Sequence, residues 1–212
     1  MPSADDILDR HTNGSVTAVV AIVTVLCGVG YTIGMWFLGR RWAHQARSKA
    51  FTLNKWPRRL VPAFHIWLTL MSLLEIAVTS WLLGQWHYTG RYATVGSRDG
   101  IRAALIAGVW TLLCSAGLTM MFLHPSLWRH PVASAGAQAA WILFTWIVWV
   151  AATATMTRAL PLLRARARCA GVEFCGQLRT AFALSLAEVL LLTIGLFGML
   201  WSFWKTYYAA RY

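Results

Sequence analysis

Two carboxylates, Glu75 and Glu188, are the residues of this chain best placed to do chemistry, because both stand inside long apolar runs. An ionised carboxylate at the centre of a bilayer costs about 2.5–3.5 kcal/mol on the insertion scale, so such a group faces a bundle interior and finds a partner. Glu75 is eight residues from the end of its run and Glu188 is seven from the start of its own. At about 1.5 Å per helical residue both lie about 11 Å below one membrane surface. If the two runs are neighbours, the carboxyls share a proton or bridge to a Thr or His. Two readings stand: proton or ion coupling in a small membrane carrier, or a neutral carboxyl hydrogen-bonded to a neighbouring helix. The second reading predicts that Gln at either position barely affects folding.

The remaining candidates are sparser. Cys169 and Cys175 flank a five-residue segment containing Gly171, which helps the chain turn and lets the thiols meet. An intrachain disulfide forms there if the segment faces an oxidising compartment. Palmitoylation, with the opposite orientation, and two free thiols are the alternatives. Cys27 and Cys114 sit inside apolar runs and read as small apolar packing residues. The six His are scattered, with no HxxxH pair, and the cysteines have no CxxC spacing, so no metal site is expected. No GxSxG, Walker or GxGxxG pattern occurs, and Ser, His and Asp never converge in one stretch. No catalytic residue and no cofactor are therefore expected, and the chain reads as a non-enzyme.

The elements that position these residues follow from composition. Of 212 residues, 58% are hydrophobic and 12% charged, against about 25% charged in a soluble domain. Five runs are long enough to cross about 30 Å of hydrocarbon as helices: Ser15–Leu38, Leu60–Leu83, Ala103–Leu123, Ala135–Thr157 and Ala181–Trp204. The first run is too long for a signal-peptide core and follows an acidic head, so it reads as a retained anchor. Gly30 and Gly34 form a GxxxG in it, which either lets a second helix approach, giving a helix-mediated homo-oligomer, or is a chance pattern. Small residues at Ala104, Gly108 and Ser115 mark one face of the third run, and ASAGAQAA opens the fourth as a further close-packing surface.

The net charge is +12. The bases lie between apolar runs rather than in a folded polar domain, which favours anionic lipid headgroups over nucleic acid. Arg40, Arg41, Arg47, Lys49, Lys55, Arg58 and Arg59 follow the first run, whereas Arg10 alone precedes it. The positive flank stays in the cytosol, so the N-terminus is expected outside and residues 40–59 inside. Trp42, Phe51, Leu53 and Trp56 are interleaved with these bases, so the segment either lies on the cytosolic leaflet and gathers anionic lipid, or serves as a topology signal only. This orientation puts the cysteine hairpin outside. Over the whole chain the bases divide ten inside and nine outside, so the flanks of the first run decide.

From about Phe64 to Trp204 the chain resembles a MARVEL domain of the fungal type. The stretches that carry the resemblance are FHIWLTLMSLLEIAVTSWLL, LIAGVWTLLCSAGLTMMFLHPSL, AWILFTWIVWVAATATMT, and Cys169…Cys175-Gly-Gln-Leu-Arg leading into FALSLAEVLLLTIGLF. The resemblance implies a four-helix transmembrane bundle, a role in membrane apposition, vesicle trafficking or lateral organisation of membrane domains, and no enzyme activity. The additional first run, the basic linker and the RARAR stretch beside the cysteines depart from the family pattern.

The expected architecture is all-α: an integral membrane helical bundle of five transmembrane helices, in which a MARVEL-like four-helix bundle carries one N-terminal anchor. Its parts are a polar head (1–14), an anchor (15–39), a basic cytosolic linker (40–59), a four-helix domain (60–204) and a cytosolic tail (205–212). The expected location is a multi-pass position in the plasma membrane or in secretory or endosomal vesicles. The expected partners are membrane lipids, with no nucleic acid.

Overall fold

The computed structural model describes residues 4–46, 55–90, 95–124, 134–159 and 174–209. All five elements are helices: α1 (Ala4–Ala46), α2 (Lys55–Thr89), α3 (Val95–Leu123), α4 (Ala135–Ala159) and α5 (Cys175–Ala209). Each contains a stretch long and apolar enough to cross a membrane. Backbone N–H and C=O groups have no water to turn to in hydrocarbon, and a helix satisfies them within its own segment.

Helices α2 to α5 close into a ring. α2 packs on α3, α3 on α4, α4 on α5, and α5 returns to α2. α1 lies outside this ring, against α2 and touching α3. The interior is filled by Leu68, Leu82, Ile101, Trp149, Met156 and Leu192, with the small Ala104, Ala107 and Ala181 where helices approach closely. Two glycines set the closest approaches. A Cβ on Gly195 of α5 would come within 2.6 Å of the Phe64 ring of α2. A Cβ on Gly100 of α3 would stand 3.2 Å from the Met156 backbone nitrogen of α4. Gly90 ends α2 in the left-handed region at φ 65° and donates its N–H to the Trp86 carbonyl at 3.0 Å, the usual glycine stop. Ser134 starts α4 by accepting the Ala137 N–H at 3.3 Å.

The helices extend beyond the apolar runs that reveal them. The polar head expected over 1–14 is helical from Ala4, and the basic segment 40–59 is divided between the end of α1 and the start of α2. Only residues 47–54 of that segment fall outside the described residues. The stretch between the second and third apolar runs is largely helical as well, because α2 continues to Thr89 and α3 begins at Val95. Hydropathy marks where a helix meets hydrocarbon, whereas its hydrogen-bond ladder continues through the interface until a turn residue stops it.

Among the described residues nothing stands within 4 Å of a Cβ built at Gly30 or Gly34 of the α1 GxxxG, and it is Gly28 that meets Leu70 and Leu73 of α2. In the small-residue run opening α4, Gly136, Ala137 and Ala140 are exposed rather than packed. The small face of α3 does pack. Ala104 and Ser115 are wholly buried, and Gly108 receives Ile76 of α2.

Candidate functional site at the seam of α2 and α5

Two copies of one tetrapeptide pattern face each other across this seam. α2 carries Ser72-Leu-Leu-Glu75 and α5 carries Ser185-Leu-Ala-Glu188. A three-residue spacing places the Ser and the Glu of each copy on one helix face, one turn apart. The two helices run antiparallel, so each Ser meets the Glu of the other copy. Ser72 Oγ donates to Glu188 Oε1 at 2.8 Å, and Ser185 Oγ lies 2.9 Å from Glu75 Oε1. Ser185 Oγ is also 3.0 Å from the Ala181 carbonyl, so its single proton has two acceptors within reach. All four side chains are wholly buried, at 0% exposure. The second oxygen of each carboxyl, Oε2 of Glu75 and of Glu188, is buried with no hydrogen-bond partner.

Every other seam of the ring is also pinned by side-chain hydrogen bonds. Thr69 and Ser115 pair at 2.8 Å between α2 and α3. Trp149 donates to Thr111 at 2.9 Å and Trp110 to Thr145 at 3.3 Å, a second reciprocal pair between α3 and α4. Trp146 donates to Thr193 at 2.9 Å between α4 and α5. Outside the ring, Trp81 donates to Thr17 at 2.8 Å and Tyr31 to Thr69 at 3.4 Å, which ties α1 to α2. Most of these Thr hydroxyls also bond the carbonyl four residues back in their own helix, so they need no second partner to stay satisfied. Each interhelical bond of this kind is worth about 0.6 kcal/mol on average within a membrane, with a maximum near 1.7 kcal/mol. The set therefore acts mainly on register and rotation.

A smaller polar spot lies nearer the start of α2. His65 is buried among Phe64, Phe122 and Trp141, stacked on Phe122 at a centroid distance of 5.7 Å. His65 Nδ1 and Trp141 Nε1 have no hydrogen-bond partner there. No group of three His, Cys, Asp or Glu that could hold a metal ion occurs among the described residues.

Glu75 and Glu188 are thus brought to one level of one seam, each bridged by a Ser where the sequence reading named Thr or His. The basic candidates are not gathered into a described site. Arg40 is exposed on α1, with its guanidinium 4.0 Å from the Trp36 ring. Arg41 lies in α1, and Lys55, Arg58 and Arg59 lie at the start of α2. Arg47 and Lys49 lie outside the described residues. Cys175 is the first residue of α5 and is buried, whereas Cys169 lies outside the described residues. Cys27 and Cys114 are free thiols, but Cys27 is exposed on α1 rather than packed. Ser72, Ser185 and the Trp–Thr pairs escaped the sequence reading. The signal that would have found the serines is the repeated Ser-Leu-x-Glu.

No family model, curated protein or solved structure matches this chain.

Proposed function

We propose that this chain is a non-enzymatic, multi-pass membrane protein that organises the lipids and helices around it. The observation that supports this most is the division of its side chains. Ser72, Glu75, Thr111, Ser115, Thr145, Ser185 and Glu188 are buried and several of them bond helix to helix, as in Ser72–Glu188 and Trp149–Thr111, whereas the exposed Ser80 and Thr157 bond carbonyls of their own helices. The outward surface is apolar, including Ile106, Leu113, Leu143, Ile147, Leu190 and Ile194. The described spans spend their chemistry on holding the bundle together, and the surface left for work is one that meets acyl chains and other helices. α1 widens that surface, since its Val19, Ile22, Leu26 and Ile33 remain exposed after it docks.

In this reading the bases at the end of α1 and the start of α2 collect anionic headgroups on the cytosolic leaflet, at about 1 kcal/mol per base. The exoplasmic side carries the Cys169–Cys175 disulfide. A MARVEL-like role in membrane apposition or vesicle trafficking, at the plasma membrane or on secretory or endosomal vesicles, is the cellular form of the same proposal. The test is reconstitution in bilayers containing a fluorescent anionic lipid. Enrichment of that lipid around the wild-type chain, lost when Arg40, Arg41, Arg58 and Arg59 are all changed to Gln, is the expected result. Equal lipid distribution around both proteins would overturn the lipid-gathering role. A membrane-impermeant amine reagent should fail to reach Lys49 from outside intact cells, and labelling there would invert the orientation.

A further inference from the structure

We propose that Ser72, Glu75, Ser185 and Glu188 form a binding site for small monovalent cations, the proton or an alkali ion, inside the α2–α5 seam. The proposal goes beyond the organiser reading and stands without it.

Charge balance is the first argument. Two carboxylates bring two negative charges to a place with no water contact, since both side chains are 0% exposed. No Lys or Arg residue is wholly buried among the described residues; the half-buried Arg179 of α5 stands nine residues before Glu188, about 13.5 Å along the axis. α3 brings Ala104, Ala107 and Thr111 to the interior and α4 brings Trp149 and Ala152, none of which titrates. α1 lies outside the ring. His65 is ten residues from Glu75 on the same helix, about 15 Å along the axis. Among the described residues no counter-charge therefore stands beside the pair, and neutrality requires up to two unit positive charges from solution.

Ligand geometry is the second argument, and it is independent of the charge count. Oε2 of Glu75 and Oε2 of Glu188 are buried and unpartnered. Their Oε1 atoms are held by serines of the opposite helix, at 2.9 and 2.8 Å, so each carboxyl is fixed in rotation with one oxygen uncommitted. Hydroxyl and carboxylate oxygens are hard donors suited to a proton or a small alkali ion. Calcium takes about 6–8 oxygens and magnesium keeps several waters, and four enclosed side chains supply neither. The antiparallel repetition of Ser-Leu-x-Glu gives both halves of the site the same donors.

The test uses the purified full chain in nanodiscs and the apolar reagent dicyclohexylcarbodiimide, which adds to protonated carboxyls. Adducts at Glu75 and Glu188 are read by mass spectrometry at acid and alkaline pH, in sodium, lithium or choline chloride. An alkali ion that occupies the site slows labelling by the factor 1 + [L]/Kd, about tenfold at ten times Kd, and choline does not. Labelling that falls with rising pH, with no difference between sodium, lithium and choline, assigns the site to the proton. Labelling indifferent to pH and to cation, or absent throughout, overturns the proposal. As a second measurement, the melting temperature of wild type should respond to the same pH or cation that changes labelling. S72A and S185A should weaken that response and S72T and S185T should keep it. A response unchanged in S72A and S185A would remove the serines from the site.

Discussion

Ser72 and Glu188 lie 116 positions apart in sequence and 2.8 Å apart in space, across the seam that closes the helical ring. Ser185 and Glu75 repeat the relationship with the helices exchanged. Moving from Ser72 to Glu75 along α2 is matched by moving from Glu188 back to Ser185 along α5, which is what an antiparallel register requires. A slip of one residue would break both bonds together and leave two buried carboxyls without donors. The pair therefore selects one register for α2 on α5, a use of buried polar groups best known from coiled coils.

Removing one hydroxyl should accordingly cost more than one ordinary bond. S72A leaves Glu188 with no hydrogen bond to either carboxyl oxygen, and the expected loss is about 1–3 kcal/mol, the penalty for an unsatisfied buried group. E188Q retains an oxygen that accepts from Ser72 and should lose under about 1 kcal/mol. Unfolding titrations in mixed micelles would check this ordering. A larger loss in E188Q than in S72A would refute the assignment of Ser72 as donor.

The closest helix contacts give a sharper contrast. G100A places a Cβ 3.1 Å from the Met156 side chain and 3.2 and 3.3 Å from its backbone N and Cα. A backbone cannot move aside as a flexible side chain does, so α3 and α4 must separate, at about 1–3 kcal/mol. G30A and G34A meet nothing within 4 Å and should be neutral or stabilising by a few tenths of a kcal/mol, since Ala favours helix over Gly. Melting temperatures of the three variants in one detergent would separate these cases.

How much of this arrangement is legible in the sequence depends on what each signal measures. The five spans are plain, because a bilayer demands long apolar runs and the chain supplies five. The common depth of Glu75 and Glu188 is legible from their distances to the run ends. Which face each helix turns inward is not, because apolar residues such as Ile106, Leu113 and Leu190 cover the outside as well. In a soluble helix polarity marks the outer face, whereas here polarity marks the inner one, at Thr69, Ser72, Thr111, Ser115 and Ser185. Read with that sign, these Ser and Thr trace the seams, although Ser80, Thr157 and Ser202 are exposed on the outside. The tryptophans are a related case. Taken by type alone they suggest interface belts, yet Trp149 is wholly buried and bonded to Thr111.

That bond gives a coupling measurement. Thr111 also bonds the Ala107 carbonyl of its own helix at 2.8 Å, so its hydroxyl stays satisfied when the indole is removed. W149F should lose the bond with little change in ring packing, and T111V should strand the Trp149 N–H. A double-mutant cycle over W149F and T111V should return a coupling of about 0.6–1.7 kcal/mol. A coupling indistinguishable from zero would mean that the 2.9 Å contact contributes nothing to the pairing of α3 with α4.

The meeting of Phe64 with Gly195 links ring closure to the start of α2. The Phe64 ring occupies the space a side chain at position 195 would need, with its Cζ 2.6 Å from a built Cβ. Phe64 also packs edge-on to His65, at a centroid distance of 5.6 Å. G195A should force the ring toward His65 and lower stability by about 1–3 kcal/mol. Trimming the ring in F64L should cost about 1 kcal/mol alone, yet it should recover most of the loss when combined with G195A, because the clash and its relief share one volume. Stability measurements on the two single variants and the double variant would show this as a strong departure from additivity. Simple additivity would mean that α5 approaches α2 at Gly195 for a reason other than the Phe64 ring.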